Sequence, residues 1–423
     1  MNSFVVQGLD GVAELSGSVE IRGAKNAVLP IIAASLLVDG EVRLTNVPTI
    51  VDVRSMVALI ENLGAYATLG GTSLSIRAKE ARETILNDDI AKRLRASVLL
   101  IGSVLARNGK VTFPHPGGCV LGSRPIDLFL SGFEKLGCTT AENNGVYTLS
   151  APNGIQGGEL FFSVVSVTAT ETFMIAATKA SSPVTLKNCA MEPEVVALAN
   201  FLQSCGARIE GAGTPTIIIH PSHLESPQEE HVIIPDRIEA GSFLILGALL
   251  GKRVEIKGSN PDDLEAVIQA LRSMGVLVEE KDNVLSVSRP KTLKPIDIRT
   301  HEHPGFPTDL QAPLMVLLTQ ADGESSVLET VFDGRLNYVD DLVRMGADIR
   351  VWNPHKATVK GSTPLKARDI NGPDIRAGLA FLLAAAVAKG ESTIGNADLI
   401  DRGYENIEEN LQNLGLSIKR SLH

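Results

Sequence analysis

Six times along this chain a helix-like pattern closes on the same step: a large apolar residue or cysteine, then glycine, then a short alternating run. The copies are Ile60-Glu61-Asn62-Leu63-Gly64, Phe133-Glu134-Lys135-Leu136-Gly137, Leu202-Gln203-Ser204-Cys205-Gly206, Leu271-Arg272-Ser273-Met274-Gly275, Leu342-Val343-Arg344-Met345-Gly346 and Leu411-Gln412-Asn413-Leu414-Gly415. They recur about every 70 residues, which is the signature of one supersecondary unit used over and over. Each glycine suits the left-handed position just past a helix end, before the next strand.

A second element keeps the same rhythm: a strongly apolar helix, a small-residue turn, then a strand. Residues 31–38 lead to Gly40 and Val42, 98–106 to Gly109 and Val111, and 173–177 to Ser182 and Val184. In the second half, 243–250 lead to Gly251 and Val254, 314–318 to Gly323 and Val327, and 379–387 to Gly390 and Thr393. Apolar residues cover nearly every face of these helices, so they should be buried all round. Each unit reads as strand, buried helix, strand, amphipathic helix and a pair of strands. Six units predict an α/β protein of two domains, three units apiece, with helices inside and sheets outside. The polar stretch Glu225-Ser226-Pro227-Gln228-Glu229-Glu230 marks the boundary after the third unit, and 423 residues is long for a single core.

Charge and cysteine content narrow the function. A net charge of −10 argues against a nucleic-acid surface, so an anionic substrate would need a local basic cluster. The four cysteines, Cys119, Cys138, Cys189 and Cys205, show neither paired nor metal-ligand spacing and fit free thiols in a reducing cytoplasm. No basic segment followed by an apolar core opens the chain, and the longest apolar run, 377–388, is too short to span a bilayer. A cytoplasmic protein without membrane insertion is expected.

One loop carries unusual chemistry. Pro114-His115-Pro116-Gly117-Gly118-Cys119-Val120-Leu121-Gly122-Ser123-Arg124-Pro125-Ile126-Asp127 holds three prolines and three glycines, too many for a helix or central strand. It places a thiol five residues before a guanidinium, and a nearby cation favours thiolate chemistry. A surface turn with an incidental cysteine is the plainer reading of this stretch alone. The remaining thiols lie in or beside regular elements: Cys138 after a helix end, Cys189 after a strand, Cys205 within a helix.

Charged residues also punctuate the edges of the buried helices. Lys25 and Asn26 lie just before the first, Arg95 opens the second, and Arg124 follows the cysteine loop. Arg237, Asp309, Arg335, Asp374, Arg376 and Arg402 mark the later units. Any one of them could be a solvated surface charge; helix N-termini, however, attract anions through free N–H groups and the dipole.

Taken together, Gly23-Ala24-Lys25-Asn26-Ala27-Val28-Leu29-Pro30, the Pro116 to Leu128 loop, Pro235-Asp236-Arg237-Ile238-Glu239-Ala240-Gly241, Phe306-Pro307-Thr308-Asp309-Leu310-Gln311 and Ile400-Asp401-Arg402-Gly403-Tyr404-Glu405 resemble one family over essentially the whole length. It is the enolpyruvyl transferases, in particular those that act on UDP-N-acetylglucosamine at the first committed step of peptidoglycan synthesis. The resemblance implies two inside-out, barrel-like α/β domains of three βαβαββ repeats with buried helices, 22–234 and 1–21 plus 235–423, and an active site in the cleft between them. It implies transfer of the enolpyruvyl group of phosphoenolpyruvate to the 3′-hydroxyl of UDP-N-acetylglucosamine, with release of phosphate and without a metal or organic cofactor.

By the same resemblance, Cys119 is the general acid at C3 of phosphoenolpyruvate and the target of the epoxide fosfomycin, on a loop that closes as a lid. Asp309 takes the proton of the sugar hydroxyl. Lys25, Arg124 and Arg402 bind phosphate and carboxylate. Asn26, Arg95, Arg124, Pro125, Ile126, Asp127, Leu128, Ser166, Val167, Val331, Arg335, Asp374 and Arg376 complete the substrate-binding set. The chain departs from the family pattern at Thr168 and Thr172, where glycine and asparagine are usual, at Phe129, where histidine is usual, and at Pro373, where a small hydroxyl residue is common. Two other readings are a transferase acting on shikimate 3-phosphate, which lacks this cysteine loop, and a non-catalytic UDP-sugar binder.

Overall fold

The structure, a computed structural model, describes residues 2–12, 14–117 and 126–421. Six helices form its interior: α1 (Lys25–Ser35), α2 (Leu99–Asn108), α3 (Val167–Ala177), α4 (Arg237–Leu250), α5 (Gln311–Leu318) and α6 (Ile375–Val387). Every residue of α5 and all but the first residues of α3, α4 and α6 are buried, as helices without a polar face require. The first turns run earlier than the apolar pattern does. Lys25 lies inside α1 rather than before it, because polar residues build the opening turn while the apolar run builds the rest.

The chain divides into two compact units, one formed by Met1–Arg22 with Pro235–His423 and the other drawn from residues 23–234. The second packs α1, α2 and α3 together; Ser103 Oγ on α2 donates to the Ala33 carbonyl on α1 at 2.6 Å. The first packs α4, α5 and α6 into a separate core.

Among the described residues the strands form six sheets of one design. The strand that follows each buried helix pairs in parallel with a leading strand, and on its other side begins an antiparallel pair. In the third unit this is Gly158–Phe161 beside Val184–Lys187, then Thr216–His220 and Arg208–Glu210. In the second unit the leading strand shrinks to one bridge, Ile85 to Thr112. Burial alternates along these strands, as a sheet covering helices on one face demands.

Two leading strands are exchanged. Leu15–Glu20 precedes α1 in sequence but pairs with Gly251–Lys257, whereas His231–Val232 precedes α4 but pairs with Glu41–Thr45. The sixth sheet borrows Ser3–Gln7, which lies between Glu391–Gly395 and Ile418–Ser421. The N-terminal segment is thereby fastened to the unit that ends the chain.

All six repeat glycines have positive φ, from 81° at Gly137 to 107° at Gly346. At each, the residue after glycine donates its N–H to the carbonyl five residues back: Ala65 to Ile60, Cys138 to Phe133, Ala207 to Leu202, Val276 to Leu271, Ala347 to Leu342 and Leu416 to Leu411. This is the Schellman closure, and it is why the step recurs. Around Gly415 a Cβ would meet nothing within 4 Å, whereas at Gly64 it would lie 2.7 Å from the Glu80 carbonyl oxygen. Gly415→Ala should therefore cost only the left-handed conformation, about 1–2 kcal/mol, and Gly64→Ala more. Denaturant unfolding of the two variants tests this; equal losses would show that the clash at Gly64 relaxes without cost.

Candidate active site

In the 23–234 unit the candidate residues sit at the first turns of the three buried helices. Gly23 leads into α1, and a Cβ there would lie 1.8 Å from the Asn46 carbonyl oxygen, so only glycine lets the chain pass. The next turn presents Lys25, whose Nζ lies 3.1 Å from Asp52 Oδ2 on the helix Val51–Asn62, with both side chains largely buried. The ion pair fixes where the ammonium sits, and Asn26 follows it, half-buried. Arg95 opens a short 3-10 turn ahead of α2 and donates from Nη1 to the Pro116 carbonyl at 3.2 Å. Gly117 donates its N–H to the Ala91 carbonyl, and a Cβ on it would sit 1.7 Å from the Lys92 carbonyl oxygen. Segment 91–95 thus grips the approach to the cysteine loop. Cys119, Arg124 and Pro125 lie outside the described residues.

Beyond that loop, Ile126 is buried in the core, so a ligand would meet its backbone alone, while Asp127 is exposed and Leu128 half-buried. Ser166 caps α3, its Oγ accepting from the Ala169 N–H at 3.3 Å, and Val167 is the first helical residue. Thr168 follows in the first turn without a positive φ, so the position does not need glycine's freedom; only the threonine's bulk distinguishes it. Glu171 and Thr172 point into the core, and burial, with the Glu194 and Glu192 carboxylates adding to it, pushes the Glu171 carboxyl well above its ordinary range.

In the unit that ends the chain, Asp309 lies in the short turn Thr308–Leu310 just before α5. Its Oδ1 accepts from Arg335 Nη2, and its Oδ2 accepts from Arg376 Nε at 3.0 Å and Nη2 at 2.7 Å. Both arginine side chains are over nine-tenths buried. These charge-assisted bonds fix the carboxylate's orientation from two sides. Burial opposes the charge on Arg376, but the Asp309 carboxylate more than compensates and holds the guanidinium protonated. Asp374 caps α6: its Oδ1 accepts from the Arg376 and Ala377 N–H groups at 2.7 and 3.0 Å, an arrangement that also sets the start of the arginine's turn.

Arg335 is anchored in turn. Its Nε donates to Thr308 Oγ1 at 3.2 Å, and that hydroxyl donates to the fully buried Glu329 carboxylate. Glu329 Oε1 accepts from the Val331 and Phe332 N–H groups at 2.9 and 3.1 Å, so one glutamate shapes the loop on which Val331 stands. Arg402 is half-buried on the turn that follows the helix Ala397–Ile400.

A family profile described as EPSP synthase (3-phosphoshikimate 1-carboxyvinyltransferase) matches residues 9–411. A UDP-N-acetylglucosamine 1-carboxyvinyltransferase of Desulforapulum autotrophicum is 42% identical over 410 residues, covering 97% of this chain and 98% of that protein. One from Campylobacter lari is 41% identical over 413 residues, with the same coverage. Among solved structures, the enolpyruvyl transferase NikO from Streptomyces tendae superposes with a TM-score of 0.89 at 24% identity, covering 99% of each chain. The chain belongs to the enolpyruvyl transferase family. EPSP synthase from Acinetobacter baumannii shares the fold at a TM-score of 0.75 and 17% identity, covering 100% of each chain.

Three residues that shape this enolpyruvyl transferase's candidate site are absent from the sequence-based set. Asp52 carries a signal, since it interrupts the apolar stripe of Val53, Met56, Val57 and Ile60 with a charge. Glu329 carries none, because its burial depends on loops, and Tyr404 stands in the 400–405 motif without a mark of its contact with Arg376. Phe129 fills its position as an aromatic, stacking on Phe173 with ring centroids 6.4 Å apart. Pro373 is exposed immediately before the α6 cap.

The first turn of α4 yields a pH prediction. Asp236 caps that helix, and beside it burial pushes the Glu239 carboxyl up to about 8, the Asp236 and Glu405 carboxylates adding to the rise. The folded value lies above the ordinary one, so the stability this group supplies is complete below about pH 4.5 and is lost as pH rises toward 8. Across that window the loss is about 1.4 kcal/mol per pH unit. Urea midpoints at roughly pH 5.5 and pH 8 should differ less in Glu239→Gln than in the parent; equal differences would mean the carboxyl is ionised in the fold.

Proposed function

We propose that this chain transfers the enolpyruvyl group of phosphoenolpyruvate to the 3′-hydroxyl of UDP-N-acetylglucosamine, releasing phosphate; its relatives are named for carboxyvinyl transfer involving UDP-N-acetylglucosamine. The observation that carries the reading is the Asp309 carboxylate, locked by Arg335 and Arg376 at the head of a buried helix. A base must be held in one orientation to take a proton from a single hydroxyl. Near-full-length identity above 40% to enzymes of this name supports the acceptor over shikimate 3-phosphate.

In this scheme the sugar oxygen bonds to C2 of phosphoenolpyruvate as Asp309 takes the hydroxyl proton and Cys119 delivers one to C3. The tetrahedral ketal then loses phosphate from C2 and a proton from C3, which leaves the enol ether. Lys25, Arg124 and Arg402 hold the phosphate and carboxylate charges. Arg95, Ser166, Val167 and Val331 contact the UDP-sugar. The product places the protein in peptidoglycan synthesis. A cytoplasmic setting agrees with three unpaired, buried thiols, and no described helix is long and apolar enough to cross a membrane.

A phosphate-release assay with phosphoenolpyruvate and each acceptor tests the proposal. Release that depends on UDP-N-acetylglucosamine is expected; release with shikimate 3-phosphate instead, or with neither, would refute it. Asp309→Asn should lower turnover by roughly a hundredfold with KM little changed. Near-normal turnover would remove Asp309 from the chemistry.

The thiols give a separate check. Burial pushes Cys138, Cys189 and Cys205 up to about 11, 12 and 11, and Cys205 stands at a helix C-cap rather than within the helix. Reactivity follows thiolate character, so fosfomycin should label Cys119 alone, read by peptide mass spectrometry. Labelling spread over several cysteines would contradict this assignment.

A further inference from the structure

Tyr404 is nearly fully buried, yet its phenol oxygen has two polar neighbours on two different core helices. Arg376 Nη1 on α6 donates to it at 3.0 Å, and Ser242 Oγ on α4 lies 3.1 Å away. The direction of the second bond follows from counting protons. Ser242 has one hydroxyl proton, and it goes to the Ile238 carbonyl at 2.7 Å. Arg376 can only donate. The phenol must therefore donate to Ser242 while it accepts from Arg376.

The result is a continuous hydrogen-bonded chain, buried from Ser242 to Arg376 and partly buried beyond. It runs from the Ile238 carbonyl through Ser242, Tyr404 and Arg376 to the Asp309 carboxylate, and on through Arg335 and Thr308 to Glu329. Arg376 spends Nε and Nη2 on Asp309 and Nη1 on Tyr404, and the guanidinium is planar. Fixing Nη1 therefore fixes the direction of the pair facing the carboxylate. The ring adds a second hold, with the Arg376 Cζ 5.4 Å from its centroid. Gly403 lets the turn come this close, since a Cβ there would lie 2.7 Å from Ile375 Cγ2.

We infer that Tyr404, backed by Ser242, is a positioning residue for the transfer reaction: it sets the rotation of the Arg376 guanidinium and through it the orientation of Asp309. The inference rests on the proposed role of Asp309 as the base for the acceptor hydroxyl. It assigns the phenol no contact with substrate. Its part is to remove the rotational freedom that an arginine tethered only to a carboxylate would keep.

Tyr404→Phe keeps the ring and removes only the hydroxyl. It should lower kcat by roughly tenfold while KM for both substrates stays within about twofold, because orientation matters most when the proton moves. Ser242→Ala, which removes the acceptor of the phenol, should give a smaller fall of the same kind and serves if the tyrosine variant folds poorly. A double-mutant cycle with Arg376→Lys separates positioning from general loosening. If Tyr404 acts through Arg376, the double variant should be about as slow as Arg376→Lys alone.

A second readout needs no turnover. In protein labelled with nitrogen-15 arginine, the Arg376 Nε–H signal should exchange with solvent faster in Tyr404→Phe than in the parent. Unchanged kcat, multiplicative effects in the cycle, or an unaltered Nε–H signal would each overturn the inference. A parent protein that shows no transfer to UDP-N-acetylglucosamine would refute the functional reading instead, and the arginine signal would still decide whether Tyr404 orients Arg376.

Discussion

Asp309 is gripped by two arginines that have almost no water to turn to. Removing such charges from solvent costs several kcal/mol each, and the cost is offset only if every partner is in place. The arrangement therefore makes demands well beyond itself. Arg376 must start α6 in the turn set by Asp374, and Arg335 must stand on a loop that Glu329 shapes through two N–H groups and Thr308. Tyr404 must reach the guanidinium from a third segment. Lose Asp309, and two buried guanidinium charges lose their counter-ion. Lys25 and Asp52 pose the same problem on a smaller scale in the other unit.

The repeated architecture explains why the charges collect where they do. A helix with no polar face can present chemistry only at its ends. The six core helices are wrapped by sheets; Lys25, Ser166, Asp236 and Asp374 stand at or beside the opening residue of their helices, and Arg95 and Asp309 stand in the short turns that lead into theirs. The helix dipole favours anions at these ends, three of which already spend N–H groups on the capping side chains of Ser166, Asp236 and Asp374, and both proposed substrates carry phosphate. A protein with a net charge of −10 can thus hold anionic ligands by concentrating donors locally.

Much of this was legible in the sequence, because the features that set it are local. A glycine forced to positive φ after each amphipathic helix leaves a mark every time, and so does a helix apolar on all sides. The exchange of Leu15–Glu20 and His231–Val232 leaves no periodic trace, since it joins strands more than 180 residues apart and one of them has only two residues. The site divides the same way. Asp309 and Tyr404 stand in motifs that can be read directly and Arg335 and Arg376 mark the edges of later units, whereas Glu329, and the contact of Tyr404 with Arg376, depend on distant segments packing. Asp52 lies between these cases, a charge on a stripe that is otherwise apolar.

The central claim is that Asp309, oriented by Arg335 and Arg376, faces the acceptor hydroxyl. A crystal structure of the chain with UDP-N-acetylglucosamine tests this most directly. The account predicts an Asp309 oxygen within about 2.6–3.2 Å of the sugar 3′-oxygen, with both guanidinium contacts retained. A 3′-hydroxyl turned toward another base, or an Asp309 released from its arginines when the sugar binds, would contradict it.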